Sequence, residues 1–326
     1  MKVVCLPGDC IGPEVMAEAC RALSVLAPDV EVEEQPFGAQ AIRDHGEPLP
    51  PETLSACREA DAILKAPIGH PDFDAADVRP EQGVMRLRAE LDVYANLRPA
   101  RQDGIDLLLL RELVGGIYYG ARGVRDDGTV FDTCEYHPSQ VERIVRRAFE
   151  LSRSRRHHVT SVDKANVLET SRMWRRVAAE VAAENPDVEF EHMLADNAAM
   201  QLVQAPERFD VLVTDNMFGD ILSDEAAAVT GGLGLAGSAS LGDSGPGIFE
   251  PVHGSAPDIA GQGIANPAAM LRSTALMLAF GLGLQDEARR LEHAVDRALA
   301  ESPTPDLGGS ATTRQFGDAV LRSLDV

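Results

Sequence analysis

Asp210-Val-Leu-Val-Thr214, followed at once by Asn216-Met-Phe-Gly-Asp220-Ile-Leu-Ser-Asp224, is the stretch whose reading decides the fold. A short apolar run reads as a buried strand, and the segment after it changes to helical period. The same alternation recurs outward in both directions: residues 3–6 with 13–26, 61–64 with 83–91, 105–110, and 159–162 with 169–183. Strands and helices taking turns predict an α/β protein built on a largely parallel sheet. Residues 13–26 show the helical logic: Val15, Cys20 or Ala19, Leu23 and Leu26 recur at three to four residues, while Glu14, Glu18 and Arg21 fall elsewhere. Pro13 suits a first helical turn.

With 326 residues, 44% of them apolar, the chain can bury more than one small core, which predicts two lobes. A net charge of -22 and a pI near 4.7 repel phosphate backbones and anionic membranes, so neither nucleic acid nor membrane is an expected partner. The apolar stretch 268–284 is broken by Arg272, Ser273 and Thr274 and is too short to span a bilayer. The opening MKVVCLP reads as a strand, not a signal peptide. Cys5, Cys10, Cys20, Cys57 and Cys134 are odd in number and lack metal spacing, which predicts reduced thiols in a cytoplasmic protein. Lys2, Lys65 and Lys164 are the only lysines among 30 basic side chains, so a lysine in a suggestive place carries weight. The string Gly232-Leu-Gly-Leu-Ala-Gly237 follows a helical segment, not a strand, and reads as a Gly-rich loop instead of a dinucleotide fingerprint.

Asp220 and Asp224 are four residues apart, so on a helix their carboxylates share one face and can converge on a divalent ion; acidic residues in a helical first turn are the structural alternative. Asp196 heads another helical segment, where it reads as a cap or a third oxygen ligand. Carboxylates without thiol or imidazole suit Mg²⁺ or Mn²⁺. Arg88, Arg98 and Arg111 could together grip a dicarboxylate through their planar forks, and Arg111, ending a run of four leucines, must leave the core or find a partner. Tyr118, among glycines, and Lys164, in Asp-Lys-Ala-Asn, are proton-transfer groups or else a packed ring and a surface charge. The stretch from Glu250 to Pro267 mixes small residues with His253, Asp258 and Asn266 and reads as a binding loop.

These motifs also carry a resemblance. LPGDCIGPEV (6–15), YANLRPA (94–100), RELVGGIYYG (111–120), VDKANVLE (162–169), NMFGDILSDEAA (216–227) and EPVHGSAPDIAGQGIANP (250–267) resemble, in order and along the whole chain, the isocitrate/isopropylmalate dehydrogenase family. RELVGGIYYG favours its isopropylmalate branch. The resemblance implies a two-lobed fold with mixed, largely parallel sheets flanked by helices. A first lobe would hold residues 1–93 and 231–326 with the cofactor loop, and a second, 94–230, would hold the dimerisation, metal and catalytic residues. It implies Asp220 and Asp224 as ligands of Mg²⁺ or Mn²⁺ together with Asp196 of a partner subunit. It implies Arg88, Arg98 and Arg111 on the malate carboxylates, and Val84, Met85 and Val167 around the 3-substituent. Tyr118 and Lys164 become the proton-transfer pair, with Lys164 donated across a homodimer that shares its active sites. Ile11, Glu81, His253, Gly254, Ser255, Ala256, Asp258, Ile259 and Asn266 fall at cofactor positions, and an acidic Asp258 facing the ribose favours NAD over NADP. The implied reaction is metal-dependent oxidative decarboxylation of a 3-alkylmalate in branched-chain amino-acid (leucine) biosynthesis.

The sequence departs from the family pattern at Cys10, usually Gly, at Lys65-Ala-Pro in place of Gly-Gly-Pro, at a shortened segment between Arg98 and Ile105, and at Arg86. Arg86 is the feature favouring another substrate, such as homoisocitrate, isocitrate, tartrate or malate. Retention of the three aspartates, Tyr118 and Lys164 argues against a silent regulatory subunit. On a helix starting at Gly83, Arg86 is expected to face away from Val84 and Met85, leaving an apolar pocket.

Overall fold

The computed structural model describes residues 1–102 and 104–324. The chain divides into two units, Met1–Val93 with Leu233–Val326, and Tyr94–Gly232. The first unit opens with β1 (Lys2–Leu6), α1 (Gly12–Leu26), β2 (Glu31–Glu34), α2 (Ala39–His45), α3 (Pro51–Glu59), β3 (Ala62–Lys65) and α4 (Pro80–Glu90). Val3 to Leu6 are all buried, as a strand covered on both faces must be, which is why the run is continuous and not alternating. Helix α4 starts at Pro80, earlier than Gly83, because Pro is well placed in a first turn and Gln82 Oε1 reaches back to accept the Arg79 N–H at 3.1 Å.

The second unit contains β4 (Ala95–Gln102), β5 (Ile105–Glu112), β6 (Arg122–Val124), β7 (Val130–Asp132), α5 (Pro138–Ser152), β8 (His158–Asp163), α6 (Glu169–Ala183), β9 (Glu189–Leu194), α7 (Ala195–Gln204), β10 (Val211–Thr214) and α8 (Asn216–Val229). Its strands run β4-β5-β10-β8-β9. β4 is antiparallel to β5 and the other pairs are parallel. Strand β10 and helix α8 are formed by the apolar run and the Asp220–Asp224 segment that follows it. Asp215 between them accepts the Phe218 N–H at 2.8 Å and so fixes where the helix begins. Residues Leu107, Leu109, Val162, Leu202, Phe209, Leu212 and Leu222 form the core beneath α7 and α8. The register Thr214↔Arg111 brings the carboxyl ends of β10 and β5 side by side, where α/β sheets place their sites. β5 continues past residue 110 to Glu112, so Arg111 is still inside the strand. In the short connection from β4 to β5, residue 103 lies outside the described residues.

The chain returns to the first unit with β11 (Gly237–Leu241), β12 (Gly247–Pro251), α9 (Ala268–Leu276), α10 (Gln285–Glu301) and α11 (Thr313–Leu324). There the strands run β2-β1-β3-β12-β11, with β11 antiparallel to β12 and the rest parallel. Residues 232–237 form a short turn leading into β11, a loop as the sequence predicts. Phe37, Leu49, Leu54, Ile63, Val84 and Leu87 pack as one core cluster. All five cysteines are free thiols. Among the described residues no helix is long and apolar enough to cross a membrane.

Candidate active site

In the second unit, Arg111 resolves the conflict set by its place after four leucines by pairing. It is 4% exposed, donates from Nε to Asn216 Oδ1 at 2.9 Å and forms an ion pair with Asp220 through Nη1. The stem of Arg111 lies against α8 only because Gly219 is there: a Cβ at 219 would come within 2.7 Å of Arg111 Cγ. Asp220 also accepts the Tyr118 hydroxyl at 3.0 Å, and Asp224, one turn on, lies 3.7 Å from Arg98 Nη1. Arg98 donates to Asn96 Oδ1 at 2.7 Å. Five of the predicted residues therefore meet at one place: Arg98, Arg111, Tyr118, Asp220 and Asp224. Burial, and after it the Asp220 charge, raise the Tyr118 phenol above its ordinary value against the pull of Arg111, so the hydroxyl keeps its proton. Burial also raises the Asp224 carboxyl, with Arg98 opposing.

The Gly115–Tyr118 turn rests on residues that the motifs alone did not single out. Asn216 donates from Nδ2 to the carbonyls of Leu113 and Gly115, at 3.2 and 2.9 Å. Gly115 and Gly116 lie so close to Tyr136 that a Cβ on either would clash with its ring or hydroxyl, and Gly116 has φ +75°.

Lys164 ends the β8 connection and Asp196 lies in the first turn of α7; the two form an ion pair. Leu194, not Asp196, occupies the cap position, and the Asp196 carboxylate is turned to Lys164, which holds its carboxyl below the ordinary range. Among the described residues of one chain, no group of three or more His, Cys, Asp or Glu side chains gathers as a metal site. Asp196 thus stands with Lys164, and Asp220 with Asp224. Val167 is exposed.

In the first unit the loop after β1, Gly69 and Ser255 converge. Ile11 N–H donates to the Ser255 carbonyl at 3.1 Å, the Ser255 hydroxyl donates to the Gly69 carbonyl at 2.6 Å, and Glu81 Oε1 lies 3.2 Å from where a Cβ on Gly69 would sit. Asp9 ties this loop down, accepting the N–H groups of Ala39 and Gly69 at 2.8 Å each. Gly254 and Asp258 are exposed, Ile259 is half-buried, and Ala256 takes a left-handed φ of 42°. Asn266 is engaged within the chain: it donates to Asp306 Oδ2 and accepts the Ala268 N–H, each at 3.0 Å. His253 is held neutral chiefly by burial, and its buried Nε2 has no hydrogen-bond partner among the described residues. Cys10 adopts φ 53°, the region that favours glycine, with its thiol 3.6 Å from the Gly69 carbonyl.

The remaining predicted side chains divide. Val84 packs into the core of this unit, Met85 is half-buried, and Arg86 points to Glu47, 2.9 Å away, and to the Leu49 carbonyl. Arg88 donates to Glu250 Oε1 at 2.8 Å, and the other carboxylate oxygen takes Lys65 Nζ at 2.6 Å. Lys65, the departure from Gly-Gly-Pro, is thus a buried counter-charge shared with Arg88. Sequence reasoning noticed the substitution but could not see its partner.

The family model described as isocitrate/isopropylmalate dehydrogenase matches residues 2–320. The chain belongs to the isocitrate/isopropylmalate dehydrogenase family. This dehydrogenase is 47% identical over 343 residues to the 3-isopropylmalate dehydrogenase of Streptococcus pneumoniae, with 99% of each chain covered. It is 48% identical over 349 residues to the 3-isopropylmalate dehydrogenase of Anaeromyxobacter dehalogenans, again with 99% of each covered. Among solved structures, an isocitrate dehydrogenase from Methylococcus capsulatus matches with TM-score 0.93 and 37% identity, covering 100% of this chain and 99% of that one. A β-decarboxylating dehydrogenase from Thermococcus kodakarensis matches with TM-score 0.87 and 36% identity, covering 99% and 96%. The residues of this dehydrogenase fit the family's needs chemically. Asp220 and Asp224 offer only hard oxygen donors, as a divalent Mg²⁺ or Mn²⁺ requires, and the orphaned Nε2 of His253 offers a buried polar atom to a nucleotide.

Proposed function

We propose that this dehydrogenase carries out the metal-dependent oxidative decarboxylation of 3-isopropylmalate with NAD as hydride acceptor, as a cytoplasmic homodimer in leucine biosynthesis. The observation that carries the reading is the meeting of Arg98 on β4, Arg111 on β5, Tyr118 on the turn after it, and Asp220 and Asp224 on α8. When bound, Mg²⁺ or Mn²⁺ supplies Lewis acidity toward the substrate hydroxyl and NAD⁺ takes up the hydride. Arg88, Arg98 and Arg111 bind the malate carboxylates. Lys164 of a second copy accepts the hydroxyl proton as the alcohol becomes a ketone. The bond to the 3-carboxyl group then breaks, CO₂ leaves, and its electron pair stays on carbon until Tyr118 delivers a proton there. A phenol raised by burial suits that step, because it still carries its proton at neutral pH.

Two observations support the shared site. Lys164 and Asp196 form their own pair, separate from Asp220 and Asp224, so a second copy can present both together. The second unit also leaves Val124, Val130, Val203 and Ile221 exposed, each more than half so, which is apolar surface suited to a partner. Arg86, held by Glu47, points away from a role in reading a carboxylated side group, which favours an alkyl substituent. Each buried methylene is worth roughly 0.8 kcal/mol, so 3-isopropylmalate should gain on the order of 2 kcal/mol in kcat/KM over malate. The test is NADH formation with Mn²⁺ against 3-isopropylmalate, malate, isocitrate, homoisocitrate and tartrate. Preference for the isopropyl compound is expected, and preference for a tricarboxylate overturns the substrate assignment.

A further inference from the structure

We propose that Tyr136 is a positioning residue for this reaction: its hydroxyl ties the first residue of α8 to the turn that carries Tyr118, and so fixes the proton donor against the carboxylate helix. This rests on the assignment of Tyr118 and Asp220 above. Tyr136 lies just before α5 and belongs to none of the motifs by which the family is recognised.

The geometry makes the phenol a junction. Its oxygen accepts the backbone N–H of Asn216, the start of α8, at 2.9 Å, and its hydroxyl hydrogen-bonds the carboxylate of Glu112. Glu112 is fully buried and accepts the N–H groups of Val114 and Gly115, at 3.3 and 2.9 Å, where the chain enters the Tyr118 turn. The residue before the phenol adds a link, since the Glu135 carbonyl accepts Gly116 N–H at 3.0 Å. The ring is wedged between the turn and Trp174, edge-on to the indole with centroids 5.9 Å apart. On the other side it presses on Gly115 and Gly116, where any Cβ would meet it at 2.6 and 2.5 Å. The two glycines of RELVGGIYYG are therefore the imprint of Tyr136 on the turn.

The consequence follows from what hangs on each end. Asn216 holds Arg111 through Oδ1 and the turn carbonyls through Nδ2, while the same helix carries Asp220, the acceptor of the Tyr118 hydroxyl. Loss of one phenol oxygen releases the N–H that begins α8 and the Glu112 carboxylate that pins the turn. The Tyr118–Asp220 distance is then set by fewer bonds, and a shift on the order of 1 Å in a reacting group can cost about a hundredfold in rate.

The experiment is a double-mutant cycle of Tyr136→Phe with Tyr118→Phe in the Mn²⁺-loaded, full-length enzyme, reading kcat, KM and the solvent deuterium isotope effect, with thermal midpoints in parallel. Tyr136→Phe keeps the ring and its packing. Its kcat is expected to fall about tenfold or more, with a smaller change in KM and a larger isotope effect as proton delivery becomes limiting. In a Tyr118→Phe background the same substitution should cost almost nothing further. Losses that multiply, or an unchanged kcat in Tyr136→Phe while Tyr118→Phe is impaired, overturn the proposal. An unimpaired Tyr118→Phe overturns the site assignment itself. Should Tyr136→Phe fail to fold, Glu112→Gln takes its place in the cycle: it leaves an oxygen for the turn N–H groups but turns the phenol hydrogen bond around, and its kcat loss must likewise vanish without Tyr118.

Discussion

Lys65→Met tests the buried charge arrangement of the first unit, because methionine keeps the length of the stem and removes only the charge. Lys65 is 3% exposed and Glu250 7%, and their charged atoms lie 2.6 Å apart, with Arg88 on the other carboxylate oxygen at 2.8 Å. Burial pushes the Glu250 carboxyl up, but Lys65 and then Arg88 overcome it and hold the group well below the carboxylate range. Removing one member of a buried pair costs about 3–5 kcal/mol, and because Arg88 stays in place the lower end, about 3 kcal/mol, is expected for Lys65→Met. Glu250→Gln should cost a similar amount, since it leaves two buried cations together. In the double variant no anion remains to be stranded, so its loss should fall short of the sum of the two by about 2 kcal/mol. Urea unfolding of the four proteins followed by circular dichroism measures this. The sign of the pH dependence is also fixed. A depressed carboxyl contributes stability above its ordinary value of 4.5 and loses it progressively as pH falls from there toward its depressed folded value, so the gap between wild type and Lys65→Met should narrow steadily as pH drops below 4.5. Additive losses, or a gap independent of pH, refute the reasoning.

Burial raises the Glu112 carboxyl to about 7, so its folded form holds a proton more tightly than the unfolded chain. Wild-type stability should therefore fall as pH rises from 4.5 through 7, and Glu112→Gln should flatten that slope by up to about 3 kcal/mol, read as thermal midpoints against pH. Asp215, raised to about 6, contributes a residual slope of the same sign; an unchanged slope in Glu112→Gln would contradict the assignment. Arg86→Ser breaks an exposed pair with Glu47 and should cost less than about 1 kcal/mol while leaving substrate preference as it was; a shift in preference would show that Arg86 turns inward. Coexpressed Lys164→Met and Asp220→Asn chains should regain turnover in verified heterodimers, where one composite site is intact, and silence there would contradict a site shared between copies.

Local chemistry was legible wherever spacing carried it. Asp220 and Asp224 could be placed on one helical face from their separation, and Arg111 was conspicuous because a cation ends four leucines. What the sequence withheld depends on register between distant segments. The hub role of Asn216 exists only because β10 pairs with β5 so that Thr214 meets Arg111. Tyr136 and Glu112 become partners through packing that no periodicity encodes, and Lys65 finds its counter-charge on β12, far along the chain. Strand β2 gives no signal because Glu31-Val-Glu-Glu34 is a largely exposed edge strand whose one apolar residue, Val32, is itself exposed. From sequence Asp196 reads as a cap or a ligand, and the structure gives its carboxylate to Lys164, an interaction decided by where β8 ends beside α7.

The most direct test of the central claim is to follow NADH and CO₂ together from 3-isopropylmalate, in wild type and Asp220→Asn, with Mn²⁺ and after exhaustive chelation. Equal amounts of NADH and CO₂ are expected from the metal-loaded wild type, and neither from the chelated enzyme or from Asp220→Asn. Undiminished production of both after chelation, or in Asp220→Asn, would contradict that claim.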